Sequence, residues 1–185
     1  PAATCRSIVG PQAFCSEGTP CNSFNSDNME GWTCNKITHC GKYGHICGGY
    51  DTKGKGSSIR RRYDGLVIGG TYTIQLDFIK IDSWDHGEEA YISFNGHKCW
   101  TYILDNSAGG MENVCGRPNK PGWTEKKVTA TCTRVTTKSY VDVRVWTNLG
   151  QGMSDESFGI DNALFYEGSN SPRRCKQSGV DWPFD

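Results

Sequence analysis

Short segments in which apolar and polar residues alternate recur along the middle of the chain. Four alternate clearly: YTIQLDFIKI (72–81), EAYISFN (89–95), YVDVRVW (140–146) and FGIDNALFY (158–166). Alternation with a period of two gives a strand one buried and one exposed face. Weaker candidates, whose alternation includes charged or polar residues, are SSIRRRY (57–63), KCWTYIL (98–104) and KKVTATCTRV (126–135). Because no window shows a sustained helical period, the sequence predicts an all-β, antiparallel sandwich.

Three parts of the chain differ in composition and in the alternation of apolar and polar residues. Residues 1–23 hold three cysteines and almost no periodicity, which predicts an N-terminal flap held by disulfides over the main fold. The alternating segments lie in 24–168, and we assign this range to the sandwich. Residues 169–185 are rich in turn-forming residues, and we expect Cys175 to tie this tail back. A length of 185 residues fits one domain.

The charge balance argues against two classes of partner. The chain has 20 Lys and Arg residues against 20 Asp and Glu residues, so its formal net charge is zero. Binding to phosphate backbones or to anionic lipid requires an excess of basic residues. The longest apolar stretch, GLVIGG (65–70), is far too short to cross a bilayer. We therefore expect neither nucleic-acid binding nor membrane insertion.

The number and spacing of the cysteines indicate the cellular compartment of the protein. Ten cysteines are dispersed along the chain, and no two form the C-x-x-C pair that zinc knuckles and ribbons need. An even, dispersed set is typical of disulfides, up to five here, and therefore of a secreted or cell-surface protein. We expect all ten to be oxidised, with their pairing left open: Cys5, Cys15, Cys21, Cys34, Cys40, Cys47, Cys99, Cys115, Cys132 and Cys175.

Two acidic loops follow clearly alternating strands. IDSWDHGEE (81–89) joins two predicted strands, and TNLGQGMSDES (147–157) joins two more. We expect two similar hairpins whose loops project from the same end of the sandwich. Calcium takes six to eight oxygen ligands, mostly from carboxylates and carbonyls. The converging carboxylates would form a calcium site, although solvated turns explain the same residues equally well: Asp82, Asp85, Glu88, Asp155 and Glu156.

Four longer phrases together resemble a known class of extracellular module. They are FNSDNMEGWT (24–33), CGGYDTKGKGSSIRR (47–61), the strand-loop-strand segment 72–96 and DESFGIDNALFYEG (155–168). The set is similar to galactose-binding-like and MAM-like jelly rolls, and more closely to the cysteine-rich jelly-roll repeats of secreted and surface proteins of protists and algae. The resemblance implies an eight-stranded jelly roll, a bound calcium in many members, and adhesion or glycan recognition rather than catalysis.

The same resemblance implies a second candidate metal site, between the first and last strands. Here it would draw on Asp27, Glu30, Asp51 and Asp161. Asp161 lies on the polar side of a strand whose neighbours look buried, and a carboxylate near a core needs a partner. A cation would satisfy it, as would backbone amides or a nearby arginine.

Aromatic residues indicate a ligand surface. Six tryptophans are many for this length. Trp84 lies within an acidic loop, and Trp146 falls on the polar register of its strand. Indoles beside polar groups suit sugars, because apolar C–H faces stack on the ring while hydroxyls bond to polar neighbours. Core-capping is the alternative for Trp32, Trp84 and Trp100. The candidate ligand residues are Trp84, Trp146, Tyr50, Tyr102 and Trp123.

A basic run, Arg60 to Arg62, lies in a predicted strand, where Arg60 and Arg62 share a face and Arg61 points the other way. A sulfated or carboxylated polysaccharide could bind such a run, but we favour a charged edge strand that prevents sheet-to-sheet aggregation.

No residue set points to catalysis, since the chain lacks a G-x-S-x-G elbow and an H-E-x-x-H pair. The sequence thus predicts a secreted, non-catalytic, calcium-binding module that recognises a glycan or a cell-surface or matrix protein. The alternatives are a structural matrix or coat component without a small ligand and, more remotely, a polysaccharide-active enzyme.

Overall fold

The structure, a computed structural model, describes residue 24 and residues 29–103, 112–118, 120 and 122–169. Within these ranges the chain forms nine strands and one short 3-10 turn, Gly41–Tyr43. None of the described residues forms a helix that could cross a membrane. The strands are β1 (Ile37–His39), β2 (His45–Gly48), β3 (Ser58–Asp64), β4 (Thr71–Asp82), β5 (Glu89–Phe94), β6 (His97–Ile103), β7 (Lys126–Val135), β8 (Tyr140–Thr147) and β9 (Glu156–Glu167).

The strands form two antiparallel sheets. The five-stranded sheet has the order β1-β2-β9-β4-β7, and the four-stranded sheet has the order β3-β8-β5-β6. From β2 onward this is the strand order of a jelly roll, with β1 added at one edge. The predicted all-β, antiparallel sandwich is confirmed, and the described ranges hold nine strands where the resemblance implied eight.

The two acidic loops do not close hairpins, which corrects one expectation. Strand β4 lies in the five-stranded sheet and β5 in the four-stranded sheet, so their loop arches over one end of the sandwich. The β8–β9 loop crosses back at the same end, because β5 pairs antiparallel with β8 and β4 with β9. Both loops therefore lie together, as expected, although the connections are arches.

The core lies between the sheets and follows the alternation of the strands. Phe78 is central, with ring centroids 5.7 Å from Phe158, 5.9 Å from Trp84 and 6.0 Å from Trp100. A second, smaller cluster around Ile79 covers part of the opposite side of the five-stranded sheet.

Three disulfides link the described cysteines. Cys34 pairs with Cys47, Cys40 with Cys115, and Cys99 with Cys132. The last joins β6 to β7, and therefore one sheet to the other. Closing a chain segment of 33 residues stabilises a fold by about 4 kcal/mol in the chain-entropy account. Cys5, Cys15, Cys21 and Cys175 lie outside the described residues, as do the N-terminal flap and most of the C-terminal tail.

Candidate functional site

The two arch loops are joined by hydrogen bonds. The side-chain oxygen of Asn148 accepts a hydrogen bond from the Glu89 backbone amide at 2.6 Å. The backbone amide of Asn148 donates to the Glu89 carbonyl at 3.2 Å. The Ser83 amide donates to the Asp155 carbonyl at 3.1 Å. These contacts bring acidic side chains from separate parts of the sequence to one end of the fold.

Hydrogen bonds connect the loop residues Asp85, Glu88 and Glu156. Glu88 accepts from the amides of Asp85 (2.6 Å) and Gly150 (2.7 Å). Glu156 accepts from the Gln151 amide at 2.6 Å, and the Gln151 side chain donates to Asp85 at 2.9 Å. Burial first, and then the adjoining carboxyl of Glu88, raise the pKa of Glu156 to about 7. The Glu156 Oε1 atom is buried and has no donor among the described residues.

Asp82 pairs in register with Glu156, but its carboxylate has other hydrogen-bond partners than Glu88 and Glu156 do. Both of its carboxylate oxygens accept from the Arg117 amide, at 2.9 and 3.0 Å. Glu125 holds the same segment through the amides of Val114 and Cys115. Asp82 therefore anchors the segment that carries the Cys40–Cys115 disulfide. Burial raises its pKa to about 6, and Glu125 contributes in the same direction.

Asp155 lies near Asp82. It is half-buried, and its charge adds to the rise in the pKa of Asp82. Within the described ranges, no three His, Cys, Asp or Glu side chains are arranged as a group that could hold a metal ion.

The second predicted metal site is only partly described. Asp27 lies outside the described residues, so this part of the prediction stays a prediction. Asp161 pairs in register with Asp77 on β4, which bonds to Asn162 (2.8 Å) and lies 3.4 Å from the Lys127 ammonium. Burial raises the pKa of Asp161 to about 6, and its Oδ1 atom has no hydrogen-bond donor in the described part of the chain.

Glu30 and Asp51 have other neighbours than Asp161. Burial raises the pKa of Glu30 while the Arg61 charge lowers it. The Asp51 amide donates to the Ser157 hydroxyl at 3.1 Å.

Trp84 is not a ligand residue, which corrects that prediction. Its side chain is fully buried, and Nε1 donates to the Ser157 carbonyl at 3.0 Å. The arch carries the indole back into the core, so the core-capping alternative is the right one.

Tyr50, Tyr102 and Trp123 have separate neighbours. Tyr50 reaches the Ser154 carbonyl at 3.4 Å, while Tyr102 stacks on Trp100 with a centroid distance of 5.9 Å. Trp123 lies near two cations, 5.6 Å from Arg117 and 5.2 Å from Lys120. The structure does not gather them into one site among the residues it describes.

Trp146 lies on the outer side of the four-stranded sheet, as its polar register predicts. It pairs in register with Tyr91 on β5, and the two ring centroids are 4.4 Å apart. The Lys98 ammonium lies 3.7 Å from the Tyr91 ring and 4.9 Å from the Trp146 ring. The result is a half-buried indole in a polar, cationic setting.

A second row of residues crosses the same side of the sheet. Arg60 on β3 pairs in register with Arg144 on β8, which pairs with Ser93 on β5, which pairs with Lys98 on β6. The Arg144 guanidinium also lies 4.8 Å from the Trp146 ring. We call this surface, made of Arg60, Lys98, Arg144 and Trp146 with the buried Tyr91 beneath them, the aromatic–cationic face.

A depression of about 650 Å³ opens on this face. This volume falls within the range of small-ligand pockets, roughly 300–1,000 Å³. Thr33, which also lines the depression, lies along the outer edge of β3, where its hydroxyl accepts from the Arg60 amide at 2.8 Å. The depression is lined in part by Arg60, Arg62, Ser93, Lys138, Arg144 and Trp146.

Only part of this face can be predicted from the sequence. The strand registers predict Trp146 on the polar side and Arg60 and Arg62 on one side, and the structure shows the two arginines exposed and Arg61 buried. Tyr91, Arg144 and Lys98 were not among the predicted ligand residues. The alternation in 89–95 places Tyr91 opposite Ala90 and Ile92, so this one residue had a readable signal.

No protein family and no curated protein matches the chain. Similar solved structures include the C-terminal domain of EclA, described as a sugar-binding protein, at 14% identity and a TM-score of 0.40. The alignment covers 64% of this chain and 71% of that one.

Proposed function

We propose that this protein is a secreted, non-catalytic jelly-roll module that recognises a glycan at the aromatic–cationic face, in adhesion to a cell surface or matrix. The observation that carries the proposal is Trp146. A half-buried indole lies on the solvent side of a strand, packed on Tyr91, and lines a depression with charged and hydroxyl groups. Sugars require this combination, because they present both C–H faces and hydroxyls.

The disulfides support the secreted location. Three cross-links hold the described part of the fold, and disulfides persist mainly in oxidising compartments.

The first prediction tests Trp146 directly. We expect saturable binding on a glycan array, and we expect Trp146→Ala to remove most of it, since stacking on the ring is lost. Trp123→Ala is the matched control, because Trp123 is also half-buried but lies outside the face. Loss of binding in Trp123→Ala alone would place the ligand elsewhere. A structural coat component predicts no saturable binding to any glycan, with or without calcium.

We further propose that calcium binds at the arch loops and steadies them. Glu88 and Glu156 would hold the ion, and backbone carbonyls of the two loops would complete its ligands. The chemistry of this group supports the proposal: two carboxyls adjoin, and one buried oxygen lacks a donor. Calcium contributes positive charge where these carboxylates otherwise repel one another. An ion with so few protein carboxylates fits the affinity range of extracellular modules, roughly 10⁻⁴–10⁻³ M.

The non-catalytic part of the proposal is supported by the same carboxyls. Glycosidase carboxyl pairs stand about 5–10 Å apart with the sugar between them. Glu88 and Glu156 instead adjoin each other and are both buried. We expect no turnover on a polysaccharide panel, and turnover that a Glu156→Gln variant loses would contradict this.

A further inference from the structure

The cations of the aromatic–cationic face repel one another in the folded protein. Arg60 and Arg144 are direct cross-strand partners, and like charges directly opposite one another destabilise a sheet. Burial first, and then the charge of Arg60, lower the pKa of Arg144. The fold therefore maintains an arrangement that is electrostatically unfavourable without an anion.

Among the residues that the structure describes, no carboxylate forms a close ion pair with these cations, although Asp142 lines the same depression and Glu89 bonds to the Tyr91 hydroxyl. No ion pair within 4.0 Å involves Arg60, Lys98 or Arg144. By contrast, Arg62 lies 2.8 Å from Asp64 and 3.8 Å from Asp142. Positive charge is thus concentrated on one face of a chain whose net charge is zero.

Protection of a sheet edge does not account for this row. β3 is an edge strand, as we favoured from the sequence, and edge protection explains Arg60 and Arg62. Arg144 lies on β8, an interior strand of the sheet. A charge there, beside Trp146, needs another explanation.

We propose that the aromatic–cationic face binds an anionic glycan, one that carries sulfate or carboxylate groups, along the row Arg60–Arg144–Lys98. This inference rests on the proposed function and names its ligand class. Neighbouring strands are about 4.8 Å apart, so the row, from β3 to β6, spans roughly 14 Å and suits an extended chain. Guanidinium groups bind sulfate and carboxylate through paired, charge-assisted hydrogen bonds.

A glycan fits these observations better than a nucleic acid does. Phosphate backbones are bound mainly through an overall basic excess, and this chain has none. The face instead offers one short row of cations next to the half-buried indole of Trp146.

The test compares dextran sulfate with unsulfated dextran of the same length, by calorimetry. We expect the protein to bind the sulfated chain and to lose affinity when NaCl rises from about 50 to about 300 mM. Each arginine removed should cost about tenfold in affinity, as expected for a charge-assisted hydrogen bond. The double variant Arg60→Ala/Arg144→Ala should therefore lose most binding.

Two matched variants separate charge at this face from charge in general. Lys36→Ala/Lys55→Ala removes two exposed cations outside the face and should change affinity less than twofold, within ordinary surface effects. Arg60→Lys/Arg144→Lys keeps the charge and should retain part of the affinity. Circular dichroism and melting curves check that each variant is folded.

The outcomes distinguish the inference from the proposed function. If only neutral glycans bind, and Trp146→Ala abolishes that binding, the function stands and the anionic class is wrong. If sulfated chains bind but the two double alanine variants weaken binding equally, the row is not the site and the inference is wrong. Equal affinity for a single-stranded DNA oligonucleotide would also overturn it. If no glycan of either kind binds, the proposed function itself fails.

Discussion

At the scale of single residues, the sequence identified strand faces better than it identified individual environments. Arg61 and Trp146 point where their registers predict. Trp84 differs from its sequence neighbours, because its side chain is fully buried in the core although the surrounding loop is acidic and polar. No local pattern reveals this, because the direction of that indole depends on the arch over the sandwich and on the distant Ser157 carbonyl that accepts from it.

Asp161 gives a prediction about pH. Its pKa is raised to about 6 in the folded protein, chiefly by burial and then by Asp77, above the ordinary value of 3.8. The folded state therefore binds more protons than the unfolded state between those values, and stability is highest below pH 4 with respect to this group. It falls as the pH rises through 6. We expect Asp161→Asn to reduce this pH-dependent loss in the free energy of unfolding, by at most ~3 kcal/mol.

Denaturant unfolding from pH 4 to pH 8 measures this effect. Asp64→Asn is the control, since Asp64 is exposed at an edge strand. If the free energy of unfolding depends on pH in Asp161→Asn as it does in the unsubstituted protein, the pKa of Asp161 is not raised in the folded state.

At the scale of elements, the four clearly alternating segments were all found as strands, and so were the three weaker ones. What the sequence could not supply was the partner of each strand. Alternation indicates that a strand has one buried face, but it does not indicate which sheet the strand joins. The sequence therefore predicted a hairpin of β4 and β5, although the two strands lie in different sheets. Convergence of the two loops was still predictable, because paired arches and paired hairpins both bring loops to one end.

The two arch loops give the calcium prediction. At about 10 mM calcium and the weak affinity proposed, binding to the native state adds ~1–3 kcal/mol and a few degrees to the melting temperature. Glu156→Gln should remove this response. The response should also be larger at pH 8 than at pH 5.5, because the pKa of Glu156 is raised to about 7 and protons compete with the ion below it.

Melting curves in calcium, magnesium and chelator test this. If Asp161→Asn removes the response and Glu156→Gln does not, the ion binds beside Asp77 and Asp161. If neither calcium nor chelator changes the melting temperature, the acidic loops are solvated turns.

At the scale of the whole molecule, the aromatic–cationic face is a product of topology. Its members come from β3, β5, β6 and β8, which are adjacent in space and far apart in the chain. Only the pairing of Arg60 with Arg144, and of Trp146 with Tyr91, creates the two rows. A single sequence could therefore suggest Trp146 and the basic run separately, but not their meeting on one sheet.

The central claim is that a glycan binds on this face, and indole resonances test it most directly. The protein has six tryptophans, and their Nε1–H signals can be assigned by single substitutions in a ¹H–¹⁵N spectrum. On titration with oligosaccharides of dextran sulfate, we predict that the Trp146 signal shifts in a saturable way. The signal of Trp84, buried in the core, should stay in place. A bound state in which Trp146 does not shift while Trp123 or Trp100 does would contradict the account.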